Sequence, residues 1–353
     1  MRIAVLGGGF AGLATTWHLL NKSKGTVKVD LFDAAPIGSG ASGISPGLLH
    51  PFPGKKARMP WQAEVGLNAT HELFTVASNA LNRSVILSKG VLRPTISEEQ
   101  VLHFKECALR NPDEAEWWDK DRCLETIPGL VLDLPEAGGL FIKRGLTINP
   151  ILYLEGLWQA CARLGCQWHR TAQVDAATLQ TYDSILFAVG HAVKQFKNLE
   201  EIPITPVKGQ ILELKWPEEL PPLPFSLIST GYVVMGPDQK SCVVGTTHER
   251  DFKTADPEPE VAAPLIFEKI NRFFPQLAKA EILRCRTGLR ASAPKRLPIV
   301  GKIFDKMWFI TGLGGKGLLY HAWVADLLSQ AMLTNDPSNI PPELLYAGSQ
   351  KSE

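Results

Sequence analysis

A glycine cluster near the amino terminus has the spacing of a dinucleotide-binding turn. In the segment GGGFAG, Gly7, Gly9 and Gly12 occupy the three glycine positions of the pattern G-x-G-x-x-G. The first glycine of such a turn permits a tight bend, the second lets the backbone approach a pyrophosphate, and the third lets the next helix pack closely. Asp33 follows Gly12 by 21 residues, the spacing at which a carboxylate reaches the hydroxyl groups of a ribose. The pattern predicts a dinucleotide site and leaves NAD and FAD undecided.

The segments around this cluster have the patterns of the elements that must position it. Residues 2–7, RIAVLG, and residues 27–33, VKVDLFD, are short apolar runs typical of buried parallel strands. Between them the segment LATTWHLLNK predicts a helix. Because the N-terminus of a helix has free amides and a partial positive charge, we expect this helix to bind the phosphates.

The segment that follows Asp33 favours a long cofactor. Residues 34–51 are rich in glycine and small side chains and show no second helical pattern. A flexible segment directly after the ribose carboxylate is typical of a backbone that passes along FAD, and a surface loop is the alternative. Residues 182–190, YDSILFAVG, predict a further buried parallel strand, which ends at Gly190.

A second glycine-rich segment, GLGGKGL, lies at residues 312–318. The apolar segment MWFIT, residues 307–311, precedes it and predicts a strand. An apolar run follows it and predicts a helix from about Gly317. This order of strand, glycines and helix repeats that of the first cluster. It predicts either a second nucleotide site or a second contact with one long cofactor.

The composition excludes several classes of function. At 353 residues the chain is long enough for about two domains. Hydrophobic residues make up 45% and charged residues 21%, as in ordinary soluble proteins. The formal net charge of +1 gives no overall positive field for nucleic acid, so any polyanion would have to bind a local basic patch.

Cysteine spacing and hydropathy indicate neither a metal site nor a membrane segment. The six cysteines contain no C-x-x-C pair, so we expect reduced thiols and no bound metal. No stretch approaches the roughly 18 uninterrupted apolar residues of a membrane span. We therefore expect no membrane partner and a cytoplasmic location.

Taken in order, these motifs resemble the FAD-dependent family of D-amino-acid oxidase, glycine oxidase and sarcosine oxidase. The resemblance spans nearly the whole chain, through the segments GGGFAG, GASG, FAVG, PVKGQI, GYVVMGP, VVGTTHE, GLRASAPKRLPIVG and GLGGKGL. Within the family, GASGISPGLLHP and GLGGKGLLYHAWVADLL are most similar to the oxidase domains of bifunctional tRNA-modification enzymes. Two features depart from the family pattern: Asp33 stands where Glu is usual, and residues 174–184 are shorter than usual.

The resemblance implies an α/β fold similar to that of glycine oxidase. A Rossmann-type FAD-binding domain would comprise residues 1–75, 143–210 and 284–353. An α+β substrate domain with a mixed sheet would be inserted into it, formed by residues 76–142 and 211–283.

The resemblance also implies FAD as the cofactor and identifies the residues that would contact it. The first cluster would bind the pyrophosphate, and the second would support the flavin ring with the N-terminus of the last helix. The expected cofactor-binding residues are Gly7, Gly9, Phe10, Ala11, Gly12, Asp33, Ala41, Ser42, Gly43, Val174, Gly190, Gly312, Gly314, Gly315, Lys316, Gly317 and Leu318.

The expected reaction is oxidation of a carbon–nitrogen bond, with hydrolysis of the imine and reoxidation by molecular oxygen. Arg290, expected in a loop, would bind the substrate carboxylate, because a guanidinium matches a carboxylate through two hydrogen bonds; a structural ion pair is the alternative. Tyr232 would face the substrate from a strand, or pack as a sheet aromatic. His50 would contact the flavin or transfer a proton, or be a structural histidine.

The resemblance leaves three hypotheses for the substrate. The first is the carboxymethylaminomethyl group of a tRNA wobble uridine, for which residues 54–58 and Lys295 with Arg296 are candidate phosphate contacts. The second is a free small amino acid or N-methyl amino acid, such as glycine, sarcosine or a D-amino acid. The third is an FAD-binding protein without turnover. Because Met1 directly precedes the first strand, we expect a separate partner for any methyltransferase step.

Overall fold

The structure is a computed structural model that describes residues 1–304, 306–346 and 348. The last residues of the expected FAD-binding domain, 349–353, lie outside the described part. The strands are β1 (Arg2–Leu6), β2 (Lys28–Asp33), β3 (Leu48–Leu49), β4 (Ile86–Pro94), β5 (Ala115–Asp119), β6 (Gly138–Ile148), β7 (Gln167–Arg170), β8 (Ser184–Phe187), β9 (Thr205–Lys215), β10 (Ser226–Ile228), β11 (Tyr232–Met235), β12 (Ser241–Gly245), β13 (Ile282–Ser292), β14 (Ile299–Lys302) and β15 (Met307–Thr311). The α-helices are α1 (Phe10–Ser23), α2 (Ala63–Leu81), α3 (Glu98–Arg110), α4 (Lys120–Thr126), α5 (Pro150–Arg163), α6 (Ala176–Gln180), α7 (Pro259–Ile270) and α8 (Gly317–Thr334).

The first sheet has the strand order β14-β15-β8-β1-β2-β7. All neighbouring strands are parallel except β14, which is antiparallel to β15. β1 lies at the centre, where four of its five residues are buried, as its continuous apolar sequence predicts. The carboxyl ends of β1, β2 and β8 meet at one edge, and this edge brings Gly7, Asp33 and Ala188 together.

Helices α1, α2, α5 and α8 pack against one another beside this sheet. Their apolar faces and the central strands form the largest core of the described residues, which includes Leu13, Leu67, Leu154 and Leu328. α5 begins where Asn149 accepts a hydrogen bond from the Leu152 amide at 3.1 Å, with Pro150 in the first turn. The first and last α-helices of the chain therefore lie against each other.

The second sheet has the order β13-β9-β12-β11-β10-β4-β6-β3, and β5 pairs with β6. It is mixed, because β10 and β4 are parallel whereas their neighbours pair antiparallel. β13 and β9 pair along almost their whole length. The expected domain limits at 143, 210 and 284 fall within β6, β9 and β13, all strands of this sheet. The α/β fold with a second, mixed sheet is confirmed.

Among the described residues, no helix is both long and apolar enough to cross a bilayer.

Candidate active site

An elongated cavity of about 1330 Å³ follows the carboxyl ends of the parallel strands. Gly7, Gly9, Asp33, Val174 and Gly190 line it, all of them expected cofactor contacts. One oxygen of the Asp33 carboxylate accepts a hydrogen bond from the Gly8 amide at 2.7 Å, and the other accepts one from the Ala35 amide at 3.0 Å. Each oxygen retains a further acceptor site, so this carboxylate can order the glycine turn and bind ribose hydroxyls together.

The glycine turn has the shape that close approach to a pyrophosphate requires. Gly7 adopts a φ of 105°, a conformation that favours glycine. A Cβ at Gly12 would collide with the carbonyl oxygen of Gly7, so Gly12 permits packing rather than cofactor contact. Gly12 does not line the cavity. The N-cap residue Gly9 has no side chain to cap α1. Apart from the Phe10 amide, which the Ser42 side chain binds, the first amides of α1 are available to phosphate oxygens.

Ser42 connects the glycine turn to the segment that follows β2. Its Oγ accepts a hydrogen bond from the Phe10 amide at 3.0 Å. Ala41 and Ser42 line both the elongated cavity and a smaller one of about 330 Å³. Gly43 lines neither, since it packs against Gly38. The two cavities therefore share a wall along residues 41–42.

The second glycine cluster lines the smaller cavity. Its wall contains the expected contacts Phe10, Ala11, Gly312, Gly314, Gly315, Gly317 and Leu318. The exception is Lys316, whose Nζ donates to the Arg296 carbonyl at 3.3 Å and does not line the cavity. Both glycine clusters thus border one continuous pair of cavities, as expected for a single long cofactor. The structure does not form a separate second nucleotide site at residues 312–318.

A buried histidine holds the start of α8 against α1 and α5. Nε2 of His321 lies 2.6 Å from the Tyr153 hydroxyl, and its Nδ1 lies 3.0 Å from the Gly317 carbonyl oxygen. Since a carbonyl can only accept, Nδ1 carries the proton and Tyr153 donates to Nε2. The ring of Phe10 packs 5.2 Å from that of His321, centroid to centroid. Burial lowers the pKa of His321 to about 4, so the ring is neutral near pH 7.

Arg290 lies in strand β13, so its expected position in a loop was wrong. The strand continues because residues 282–292 pair with β9 almost throughout. Arg290 lines the smaller cavity, and its Nη2 donates to the Thr247 carbonyl at 2.9 Å. Its Nε is buried without a hydrogen-bond partner, and no carboxylate of the described residues lies within 4.0 Å. Burial lowers the pKa of Arg290, as expected for a desolvated cation.

Tyr232 and His50 line the same cavity as Arg290. Tyr232 is 9% exposed, and burial raises the pKa of its hydroxyl, which is therefore protonated at neutral pH. Burial, together with the positive charge of Arg93, lowers the pKa of His50 to about 3. His50 is therefore neutral above about pH 5, which disfavours proton transfer through its cationic form. Its Nδ1 is shielded and has no hydrogen-bond partner in the described part of the chain.

Sequence reasoning did not single out Lys269, whose Nζ donates to the carbonyl of Thr246 at 2.7 Å. Thr246 lines this cavity, whereas Lys269 does not. No motif surrounds Lys269, so no signal in the sequence distinguishes it from other helical lysines.

The expected basic segment 54–58 lies outside the cavity walls, with its three cationic side chains exposed. Lys295 and Arg296 are also exposed. The residues described here contain no group of three or more potential metal ligands.

The family model described as FAD dependent oxidoreductase matches residues 2–331. The chain belongs to this family. A relative at 25% identity over 370 residues is the bifunctional protein ThiO/ThiG of Nostoc sp., with 99% of this chain and 55% of the relative covered. Another, at 23% identity over 349 residues, is the tRNA 5-methylaminomethyl-2-thiouridine biosynthesis bifunctional protein MnmC of Idiomarina loihiensis, with 93% and 55% covered. The chain thus spans about half the length of these curated relatives.

Solved structures share the fold of this FAD dependent oxidoreductase. Glycine oxidase from Geobacillus kaustophilus superposes with a TM-score of 0.78 at 18% identity, with 95% of both chains covered. Iminodiacetate oxidase from Chelativorans sp. superposes with a TM-score of 0.78 at 16% identity, with 98% of both chains covered. The glycine oxidase-like fold expected from the sequence is confirmed.

FAD, the cofactor of this family, fits the residues present. Three features match a dinucleotide: the positions where a Cβ would fill the turn, the amides of α1 that follow the Ser42-bound amide of Phe10, and the remaining acceptor sites of Asp33. The glycines of residues 312–317 give the smaller cavity a wall without side chains, which suits a flat ring.

Proposed function

We propose that this chain oxidises the carbon–nitrogen bond of an amine that carries a carboxylate. The observation that supports the proposal most is Arg290. Its guanidinium reaches a cavity walled by the second glycine cluster, and no carboxylate of the described residues neutralises it. A partly buried cation without a protein counter-ion is stabilised by an anionic ligand, and the guanidinium matches a carboxylate in particular.

Within this proposal, residues 1–75, 143–210 and 284–353 hold FAD, and the inserted residues complete the substrate side. The pyrophosphate would lie along Gly7 and Gly9, the ribose at Asp33, and the flavin against Gly312 to Leu318. When bound, FAD would accept the hydride, with its two electrons, that leaves the substrate carbon, and molecular oxygen would reoxidise it. The N-terminus of α8 lies at this wall. Its partial positive charge would stabilise negative charge on a group bound there.

The chain's own residues orient the substrate. Arg290 would fix both the position and the rotation of the carboxylate through two hydrogen bonds. The protonated Tyr232 hydroxyl would donate a further hydrogen bond from the same side of the cavity. His50 would act as a neutral hydrogen-bonding group. Ile44, Leu48 and Ile211 contribute apolar walls, which limit the access of water to the reacting carbon.

For the substrate we propose the carboxymethylaminomethyl group of a tRNA wobble uridine, acted on in the cytoplasm. Two observations support it: the MnmC relative matches over 93% of this chain, and Arg290 is suited to the carboxylate of that group. A free amino acid is the second candidate, because glycine oxidase and iminodiacetate oxidase share the fold and act on small amines with carboxylates.

The test is anaerobic reduction of the purified, FAD-loaded protein. It is incubated separately with tRNA carrying the carboxymethylaminomethyl group, with glycine and with sarcosine, and bleaching of the flavin absorbance is followed. We expect bleaching by the modified tRNA and none by tRNA that lacks the group. Bleaching by the amino acids alone would replace the first candidate with the second. No bleaching by any of them would contradict the proposal.

A further inference from the structure

Lys269 brings a second positive charge next to a residue of the substrate cavity's wall, although Lys269 itself lines neither cavity. It lies in the last turn of α7, and its Nζ donates to the carbonyl of Thr246, a residue of the cavity wall, at 2.7 Å. An ammonium group has three N–H donors, and no other acceptor within hydrogen-bond distance of Nζ occurs among the described residues. Two donors are therefore available to a ligand.

Lys269, like Arg290, has no carboxylate of the described residues within 4.0 Å of its charged group. Burial lowers the pKa of Lys269, the charge of the adjacent, exposed Glu268 opposes that shift, and the charge of Arg290 adds to it. Two like charges near one another in a partly desolvated place are unfavourable unless an anion joins them.

Lys269 and Arg290 bind consecutive carbonyl groups of one chain segment. Arg290 donates to the Thr247 carbonyl at 2.9 Å, next to the Thr246 carbonyl that Lys269 binds. Because neighbouring Cα atoms are about 3.8 Å apart, the two cationic groups lie within roughly 10 Å of each other. That separation fits two anionic groups on one small molecule or on one nucleotide.

The surroundings of this segment are also positive. His248, whose side chain is largely exposed, follows Thr247. Its pKa is lowered first by partial desolvation and then by the charges of four cations: Arg290, Arg250, Lys269 and Arg296. Two of the four acidic side chains of the same loop are occupied elsewhere, and the other two, Asp251 and Asp256, are exposed. Glu249 accepts from Gln210 at 3.1 Å, and Glu258 is paired with Lys208.

We propose that Lys269 forms a second anion subsite, beside the Arg290 subsite, which selects substrates that carry a phosphate or a second carboxylate in addition to the amine carboxylate. The inference rests on the proposed function, since it takes Arg290 as the first carboxylate subsite. It makes Lys269 a specificity-determining residue. A monocarboxylate would contact Arg290 alone, and an anion with two charged groups would contact both cations.

The test uses inert ligands, so it does not depend on turnover. Glycolate, malonate and 2-phosphoglycolate are titrated into the FAD-loaded protein, and binding is measured from the change in the flavin spectrum. Wild type is compared with Lys269→Met and with Lys279→Met, which removes an exposed lysine outside both cavities. We expect wild type and Lys279→Met to bind 2-phosphoglycolate more tightly than glycolate. In Lys269→Met this preference falls about tenfold, the size of one charge-assisted hydrogen bond, while glycolate affinity is unchanged.

The outcomes separate the two proposals. Equal loss of affinity for all three ligands in Lys269→Met, or no preference in wild type, would overturn the second subsite and leave the Arg290 subsite in place. Failure of wild type to bind glycolate would overturn the proposed function and the inference with it. Two results would support the second subsite. If malonate and 2-phosphoglycolate both bind more tightly than glycolate by the same factor, the recognised group is a second carboxylate. If only 2-phosphoglycolate binds more tightly than glycolate, the recognised group is phosphate, which a polynucleotide supplies.

Discussion

Lys208 and Arg290 are a buried and a partly buried cation on paired strands, and only one of them has a counter-ion within the described residues. Lys208 in β9 lies opposite Leu289, next to Arg290 in β13. Lys208 is 0% exposed and forms an ion pair with Glu258. Arg290 is partly buried and has only a carbonyl partner in the described structure. Neighbouring positions of one sheet thus contain a neutralised cation and an uncompensated one.

The pairing of Lys208 belongs to a larger network. The Gln210 side chain donates to Glu249 at 3.1 Å and accepts from the Glu258 amide at 2.6 Å. These contacts fasten both ends of the loop between Glu249 and Glu258, just after the Thr247 carbonyl that holds Arg290. The difference teaches that the buried charge of Lys208 is neutralised within the protein, whereas the charge at the cavity has no counter-ion among the described residues.

The largest expected effect comes from removing the uncompensated cation. Arg290→Ala should lower kcat/KM at least about 100-fold, since it removes two charge-assisted hydrogen bonds of about 1.5–3 kcal/mol each to the substrate. Stability should change little, because no protein counter-ion is left behind. Steady-state kinetics and a thermal unfolding curve measure both effects. Full activity in this variant would remove Arg290 from the site.

Loss of the counter-ion of Lys208 should lower stability and leave activity nearly unchanged, the reverse of the result expected for Arg290→Ala. Glu258→Gln should lower the free energy of unfolding by about 3 kcal/mol, because it leaves the fully buried Lys208 without a counter-charge. Lys208→Met should cost less, since the remaining Glu258 is about one-third exposed and can be hydrated. Urea unfolding provides the measurement, with KM as the second readout. If Lys208→Met proves the more damaging change, the contrast between the two cations is not one of charge compensation.

An added carboxylate should supply the counter-ion that Arg290 lacks. Acetate at 100 times its dissociation constant should stabilise the FAD-loaded wild type by about 2.7 kcal/mol. The same addition should stabilise Glu258→Gln equally and leave Arg290→Ala unchanged. Thermal shifts with acetate, compared with an equal concentration of chloride, measure the effect. A shift retained in Arg290→Ala would place the acetate at another site.

The smallest effect concerns His321, a buried group that is partnered and neutral. Its folded-state pKa of about 4 lies below the ordinary 6.5, so the unfolded chain binds more protons between these values. The free energy of unfolding therefore falls as the pH falls through this window. In His321→Gln the fall between pH 7 and pH 5 should be smaller by about 2 kcal/mol than in wild type. His103→Gln, on α3, is the control, and urea unfolding at both pH values gives the measurement. Identical slopes in wild type and His321→Gln would show that His321 does not titrate as its burial requires.

Much of the lining of the elongated cavity could be predicted from the sequence, because glycine positions and strand patterns are local. Gly7, Gly9 and Asp33 line the elongated cavity where their spacing places them. Gly12 and Gly43 are packing positions instead, because what surrounds a glycine depends on the distant backbone against it.

The substrate side was harder to predict, because its contacts join distant parts of the chain. Arg290 was expected in a loop, whereas residues 282–292 form a strand through their pairing with the distant β9. Lys208 and Glu258 are 50 residues apart in sequence, and Lys269 and Thr246 are 23 apart. No local pattern marks either pair.

The hydrogen bonds of His321 have a consequence for the order in which this protein is made. The wall of the smaller cavity, where we propose that the flavin binds, includes residues 312–315, 317 and 318. The start of α8 is held through His321 by Tyr153 of α5 and Phe10 of α1. On a ribosome, the first glycine turn emerges some three hundred residues before the helix that completes the site. We therefore expect a nascent chain to hold FAD only after α8 has left the exit tunnel, so that cofactor capture is a late event of synthesis.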